Sequence, residues 1–144
     1  MALLEELREA VIEGQAKLAL AKVEEGLADG IEAGILLREG LIAGMAQVGK
    51  LYEEGEIFVP EMLVAARAMT AALSVLKPHL VEEGVASSGK VAIGTTQGAL
   101  HDIGKNLVAM MLEGSGYEIV DLGVAVPAEK FIEAIRNGAN VVAM

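Results

Sequence analysis

The sequence predicts two architectures in series: an antiparallel bundle of four helices, then an α/β half built on a parallel sheet. Three observations carry this expectation. Apolar residues recur at helical spacing as far as about residue 84, with Glu, Lys and Arg between them. A small-polar stretch, Gly84 to Lys90, follows. Beyond it, short apolar runs of buried-strand type alternate with helical segments, the pattern of crossover connections and a parallel sheet.

The helices are taken first. Leu3, Leu4, Leu7, Val11 and Ile12 share one face of a first helix, and Gly14 breaks the pattern. Leu18, Ala21, Val23 and Leu27 define a second helix that stops at Ala28-Asp29-Gly30. A third is expected from about Ile35 to Glu54, with Leu37, Leu41, Met45, Val48 and Leu51 apolar. Gly55 to Pro60 interrupts it, and Pro60 suits the first turn of a fourth helix. That helix carries Leu63, Ala66, Met69, Leu73 and Leu76 and is expected to run past Pro78 to Glu82. Short connections make an antiparallel bundle the natural arrangement. In the second half, Val91–Thr95 reads as a strand and Gly104–Gly114 as a helix. Tyr117–Leu122 (strand), Ala128–Asn137 (helix) and Asn140–Met144 (strand) complete the series. The expected domains are 1–87 and 88–144, with Gly84–Lys90 as a hinge between them.

Composition excludes several classes of function. The net charge is −10, with 11 Lys and Arg against 21 Asp and Glu, so the basic surface that neutralises phosphates is missing and no nucleic-acid partner is expected. Most of the acids lie in the bundle: 15 acids and 7 bases up to Ser87, 6 and 4 beyond. There is no cysteine, hence no disulfide, thiolate site or cysteine nucleophile, which fits a cytoplasmic protein. The N-terminus reads as the start of a helix, and no run of about 18 apolar residues predicts a membrane span. Hydrophobic residues make up 53% of the chain and aromatics only 3%, so small aliphatic side chains fill the core.

Two histidines are present. His79 follows Pro78 in a helical tail and reads as a surface or bundle-end residue. His101 stands in Gln97-Gly98-Ala99-Leu100-His101-Asp102-Ile103-Gly104-Lys105-Asn106, which joins the first strand to the first helix of the α/β half. Ligands of open α/β sheets gather beyond the carboxyl ends of strands, and a neutral imidazole there can meet a metal. Read without context, it is equally a polar loop residue beside an N-cap. Gly94, Gly98 and Gly104 thin the backbone around it, as close approach by a bulky ligand requires. A Gly-x-Gly-x-x-Gly fingerprint, a Walker loop, a Ser-His-Asp elbow and His-Glu-x-x-His are all absent, so nucleotide sites and hydrolase chemistry find no support.

His101-Asp102-Ile103-Gly104-Lys105-Asn106 resembles the histidine loop of cobalamin-dependent methyltransferases, Asp-x-His-x-x-Gly after the first strand of a Rossmann-like (flavodoxin-like) domain. Gly49-Lys50-Leu51-Tyr52-Glu53-Glu54-Gly55 with Phe58-Val59-Pro60 is similar to the bend of the helical cap in methionine synthase and in the corrinoid proteins of methanol and methylamine metabolism. Tyr117 to Gly123 resembles the second strand. The similarity spans essentially the whole chain. It implies a cobalamin or related corrinoid whose own base leaves cobalt and is replaced from below by His101, the sole protein ligand to the metal. It also implies that cobalt cycles between a Co(I) nucleophile and methyl–Co(III). Gly98, Asp102, Ile103 and Gly104 are implied to line the cofactor from the loop. Tyr52, Val59 and Met62 are implied to do so from the cap, although the bundle core is an equally natural place for Tyr52 and Val59. The partners implied are methyltransferase subunits that load and unload the methyl group, and a homodimer is compatible.

Two departures qualify the resemblance. The family's aspartate two residues before the histidine, which accepts the ligand's second N–H, is Ala99 here. The α/β half also reads as cut off after its third strand, Val141-Val142-Ala143-Met144. Both should weaken corrinoid binding by these 144 residues. The leading expectation is a methyl-carrying component of a methyltransferase system. A cobalamin-responsive regulator, or a storage or interaction protein without turnover, is the alternative.

Overall fold

The computed structural model describes residues 2–85 and 87–144; the side chain of Ile103 also lies outside the description. The chain divides into two compact units, residues 1–86 and 87–144.

The first unit is helical throughout. It comprises α1 (Ala2–Ile12), α2 (Ala16–Ala28), α3 (Ala33–Ile35), a π-helical stretch (Leu36–Ile42), α4 (Ala43–Glu53) and α5 (Val59–Glu83). The third helix of the sequence reading is thus a composite of α3, the π stretch and α4, and it starts two residues early. The early start has its cause in a residue far along the chain. The Glu83 carboxylate accepts the N–H groups of Ala33 (2.7 Å) and Gly34 (3.1 Å), two of the donors a helix start leaves unpaired. Those bonds hold the Glu83 carboxyl below the ordinary carboxylate range, with His79 and Arg38 adding smaller attractions. In the π stretch the Arg8 guanidinium donates to the Glu39 carbonyl (2.8 Å).

Leu7, Val11, Val23, Leu36, Leu41, Val48, Met69 and Leu76 are the largest fully buried side chains, so the core is aliphatic, as the scarcity of aromatics requires. At the start of α5, Glu61 accepts the Phe58 N–H (2.9 Å) and Pro60 occupies the first turn. α5 continues through Pro78 and ends on left-handed Gly84. By length and composition α5 could cross a membrane, contrary to the sequence expectation. Arg67 and Lys77 both fall within its apolar stretch between Glu61 and Glu82, so the helix has no uninterrupted run of about 18 apolar residues, and its Ala65, Ala66, Ala68, Met69, Ala72, Leu73 and Leu76 are buried in the bundle.

The second unit runs β1 (Lys90–Thr96), α6 (Ile103–Gly114), β2 (Glu118–Val126), α7 (Ala128–Arg136), β3 (Val141–Ala143). The sheet is parallel with order β2-β1-β3. α6 packs on β1 and β2, and α7 reaches all three strands. The two crossovers run in opposite directions along the sheet, so their common right hand places the helices on opposite faces. β1 is accordingly buried along Val91–Thr95.

β2 is four residues longer at its end than Tyr117–Leu122 predicts. The ladder steps from Ile93↔Asp121 to Gly94↔Gly123 and then to Thr96↔Val126, so β2 takes up extra residues in two register shifts. Gly94 is what permits this. A Cβ there would meet Val126 at 3.0 Å and Leu122 at 3.1 Å. It permits the close approach of β2, and it also lines a cavity beside His101.

Candidate functional site

Segment 97–102 leaves the carboxyl end of β1, which β2 and β3 flank on either side. In a sheet of order 2-1-3 the boundary between β1 and β3 is where successive connections leave in opposite directions, the place where open α/β sheets take ligands. A cavity of about 360 Å³ lies there, lined by Thr95, Ala99, His101, Gly104 and Lys105 from β1, the loop and α6, and by Ala143 and Met144 from the β3 end.

The loop presents His101 outward: its side chain is exposed, and Leu100 beside it is 70% exposed. Gly98 has φ +91, a conformation that only glycine adopts cheaply, and a Cβ at Gly98 or Gly104 would meet nothing within 4 Å. Both glycines therefore border open space. Asp102 is the residue before α6; its carbonyl accepts the Asn106 N–H (2.9 Å) and its side chain makes no capping bond. Of the loop residues singled out in the sequence, Gly98, His101, Asp102 and Gly104 are thus gathered on one short segment. Ile103 opens α6, and its side chain is outside the described residues.

Tyr52, Val59 and Met62 belong to the helical unit, on either side of the turn between α4 and α5. Tyr52 is 44% and Val59 40% exposed, next to Phe58 at 65%, while Met62 is half-buried. The bundle-core reading of Tyr52 and Val59 is therefore set aside. Tyr52, Phe58 and Val59 together give the helix junction an exposed apolar surface. His79 is exposed, as expected.

Three residues at the site were not singled out in the sequence. Thr95 is the buried polar residue of the unit: its hydroxyl donates to the Ala99 carbonyl (2.7 Å) and accepts the Ala125 N–H (2.8 Å). Ala125 carries φ +49, rare for a residue with a Cβ. Lys105, with only 7% of its side chain exposed, places its ammonium 2.7 and 3.0 Å from the two carboxylate oxygens of Asp121. That ammonium, and then the Gly123 N–H at 2.9 Å, hold the Asp121 carboxyl below its ordinary range. A threonine at the end of a strand and a lysine in the first turn of a helix are too common for spacing alone to flag either.

Among the described residues no three His, Cys, Asp or Glu side chains come together as a metal site. A lone imidazole at an open cavity with Leu100, Val108 and Met144 exposed around it does not suit a bare ion, which needs several protein donors. The second unit is thus a parallel half-sheet whose β1 loop presents one imidazole at an open, partly apolar cavity, and the helical unit before it carries an exposed apolar turn: a ligand-binding α/β unit that follows a helical unit in the chain.

Comparison with known proteins narrows this class. A B12 binding domain family matches residues 3–77, and a second B12 binding domain family matches residues 89–144. A corrinoid protein of Desulfitobacterium hafniense (strain Y51) is 34% identical over 146 residues, covering 99% of this chain and 68% of that protein. Dimethylamine corrinoid protein 1 of Methanosarcina acetivorans is 43% identical over 137 residues, covering 94% of this chain and 63% of its own. The crystal structure of the methanol:cobalamin methyltransferase complex of Methanosarcina barkeri contains a chain that superposes with a TM-score of 0.84 at 30% identity. It covers 99% of this chain and 57% of that one. The chain thus spans about two thirds of the length of the curated relatives it matches. It belongs to the family of corrinoid proteins built from B12 binding domains.

Proposed function

We propose that this protein carries a methyl group on the cobalt of a bound corrinoid, with His101 as the axial ligand from the protein. Methyltransferase subunits load and unload the group. The observation that carries the reading is the placement of His101. It is one exposed imidazole on a glycine-bearing loop at the carboxyl end of the central strand, beside a cavity that the end of β3 helps to line. The relatives, a dimethylamine corrinoid protein and a chain of a methanol:cobalamin methyltransferase complex, support the methyl-transfer role and the partners.

When bound, the corrinoid supplies a cobalt that accepts and gives up a methyl group; the chemistry is the cofactor's, and the chain supplies ligation, orientation and shielding. His101 would offer a ring nitrogen to the cobalt. Gly98 and Gly104 leave room for the ring to approach. Tyr52, Val59 and Met62 give the helical unit an apolar surface of the kind that would shield a corrinoid from water. Ala99 is the one position that does not fit the family's pattern, and it favours the second reading, a corrinoid-binding regulator or store without turnover.

The test of ligation is the electron paramagnetic resonance spectrum of the Co(II) protein. The wild type is expected to show nitrogen splitting from an axial imidazole, and His101→Ala to lose it. Identical splitting in the variant excludes His101. Transfer of a methyl group from the loaded protein to a thiol acceptor with a partner methyltransferase separates carrier from store.

A further inference from the structure

The histidine loop is pinned at one residue, Ala99, by three hydrogen bonds. Its N–H donates to the Thr96 carbonyl (2.9 Å), and its carbonyl accepts from both the Thr95 hydroxyl (2.7 Å) and the Ala125 N–H (3.0 Å). Thr95 is the centre of this arrangement. It is 9% exposed, and its one oxygen donates to the loop and accepts from Ala125 (2.8 Å), so donor and acceptor capacities are both used within the protein. The register shifts of β2 at Gly94 and Thr96 bracket Thr95. Those shifts, with Ala125 at φ +49, turn the Ala125 N–H out of the β1–β2 ladder and onto Thr95 and Ala99. The two extra residues of β2 thus have a structural consequence: they supply the donor that fixes the loop. His101 stands two residues beyond the pinned position.

We propose that Thr95 is a positioning residue that holds the His101 loop in one conformation before any cofactor arrives. The hydroxyl joins three elements, the end of β1, the loop and the bulged end of β2. Valine has the same shape but neither donates nor accepts; it would leave the Ala99 carbonyl on the Ala125 N–H alone. Serine would keep both bonds. A ligand histidine on a preformed loop loses little freedom on binding metal, whereas one on a loose loop must be ordered at that moment. The proposal deepens the ligation reading of His101 and rests on it for its functional meaning.

The experiment compares wild type, Thr95→Val and Thr95→Ser in the full chain. Amide exchange at Ala99 and Ala125, measured without cofactor, is expected to speed up about tenfold in Thr95→Val, the order expected for losing a hydrogen bond of a buried hydroxyl. It is expected to return close to wild type in Thr95→Ser. With cob(II)alamin bound, the fraction of protein showing nitrogen splitting is expected to fall in Thr95→Val, with affinity about tenfold weaker, the scale on which lost support of a metal ligand acts. Thr95→Ser is again expected to restore both. Unchanged exchange at both amides in Thr95→Val overturns the proposal. So does an equal loss in the Val and Ser variants accompanied by a lower melting temperature, which would mark Thr95 as mere packing. If the wild-type spectrum itself lacks nitrogen splitting, the ligation reading of His101 fails, while the exchange result still decides what Thr95 holds.

Discussion

Replacing Ala99 by aspartate should strengthen corrinoid binding, and the structure indicates by how much. In metal sites the carboxylate behind a ligand histidine is worth about 10–100-fold in affinity, or ~1.4–2.7 kcal/mol. Two features of this loop bear on where in that range the effect falls. The backbone of residue 99 is already fixed by its three hydrogen bonds, so a new side chain would not have to order the chain it stands on. Ala99 also lines the 360 Å³ cavity with His101, which leaves room for a carboxylate without displacing core atoms. Against this, His101 is exposed, and solvent weakens a charge-assisted bond to its second N–H. The lower end is therefore expected, about tenfold or ~1.4 kcal/mol.

The assay is spectrophotometric titration with aquocobalamin of four proteins: wild type, Ala99→Asp, His101→Ala and the double variant. The gain should appear only when His101 is present, so the double-mutant cycle should return a coupling of ~1.4 kcal/mol. An equal gain in the His101→Ala background would show that the added charge acts on the cofactor generally. No gain in either background would mean that residue 99 does not stand behind the imidazole, and the carry-over of the family's motif would fail at that point.

Three further predictions concern the helical unit. Gly14→Ala should cost ~2–5 kcal/mol in urea unfolding followed by helical signal, combining a left-handed backbone at φ +71 with a Cβ that would collide with Val64 Cγ1; a loss below about 1 kcal/mol would show that α5 yields at Val64. Glu83→Gln should destabilise the bundle at neutral pH, because the folded-state pKa of Glu83 is lowered chiefly by the Ala33 and Gly34 N–H groups. That stabilisation is present above the ordinary carboxylate pKa and is lost as pH falls through the lowered folded value. The wild type and variant melting temperatures should therefore converge in acid, and a gap that persists to the lowest pH at which both fold would contradict the assignment. Tyr52→Ala should hasten the light-driven loss of a methyl ligand from the loaded protein, since the 44% exposed ring is assigned to cover that face; equal rates in the two proteins would remove Tyr52 from the cap.

Periodicity made the helices and the parallel sheet legible, because burial of an aliphatic stripe imposes a period that residues such as Leu7, Val11, Val23 and Val48 display directly. What it could not show was anything set by contacts distant in sequence. The early start of α3 depends on a carboxylate about fifty residues away. The length of β2 depends on a glycine in another strand, while Gly123, Pro127 and the small residues between them look like a turn when read locally. His101 was legible because the glycines and the motif around it are local; Thr95 was not, because its hydroxyl acts through Ala125, thirty residues on.

Ala99 shows the limit most clearly. As a motif position it registers only a loss, a carboxylate replaced by a methyl group. In the fold the same residue is the point at which the loop is tied to both β1 and β2 through its carbonyl, and any side chain at 99 can make those bonds. Support of the ligand by a carboxylate and support of the loop by the backbone are therefore separable, and this chain keeps the second without the first. It follows that the substitution should lower the basicity of the axial imidazole more than it disturbs its position. The gain from Ala99→Asp should nevertheless shrink in the Thr95→Val background, because the Thr95 hydroxyl bonds the Ala99 carbonyl and the added carboxylate would then stand on a backbone that must be ordered on binding.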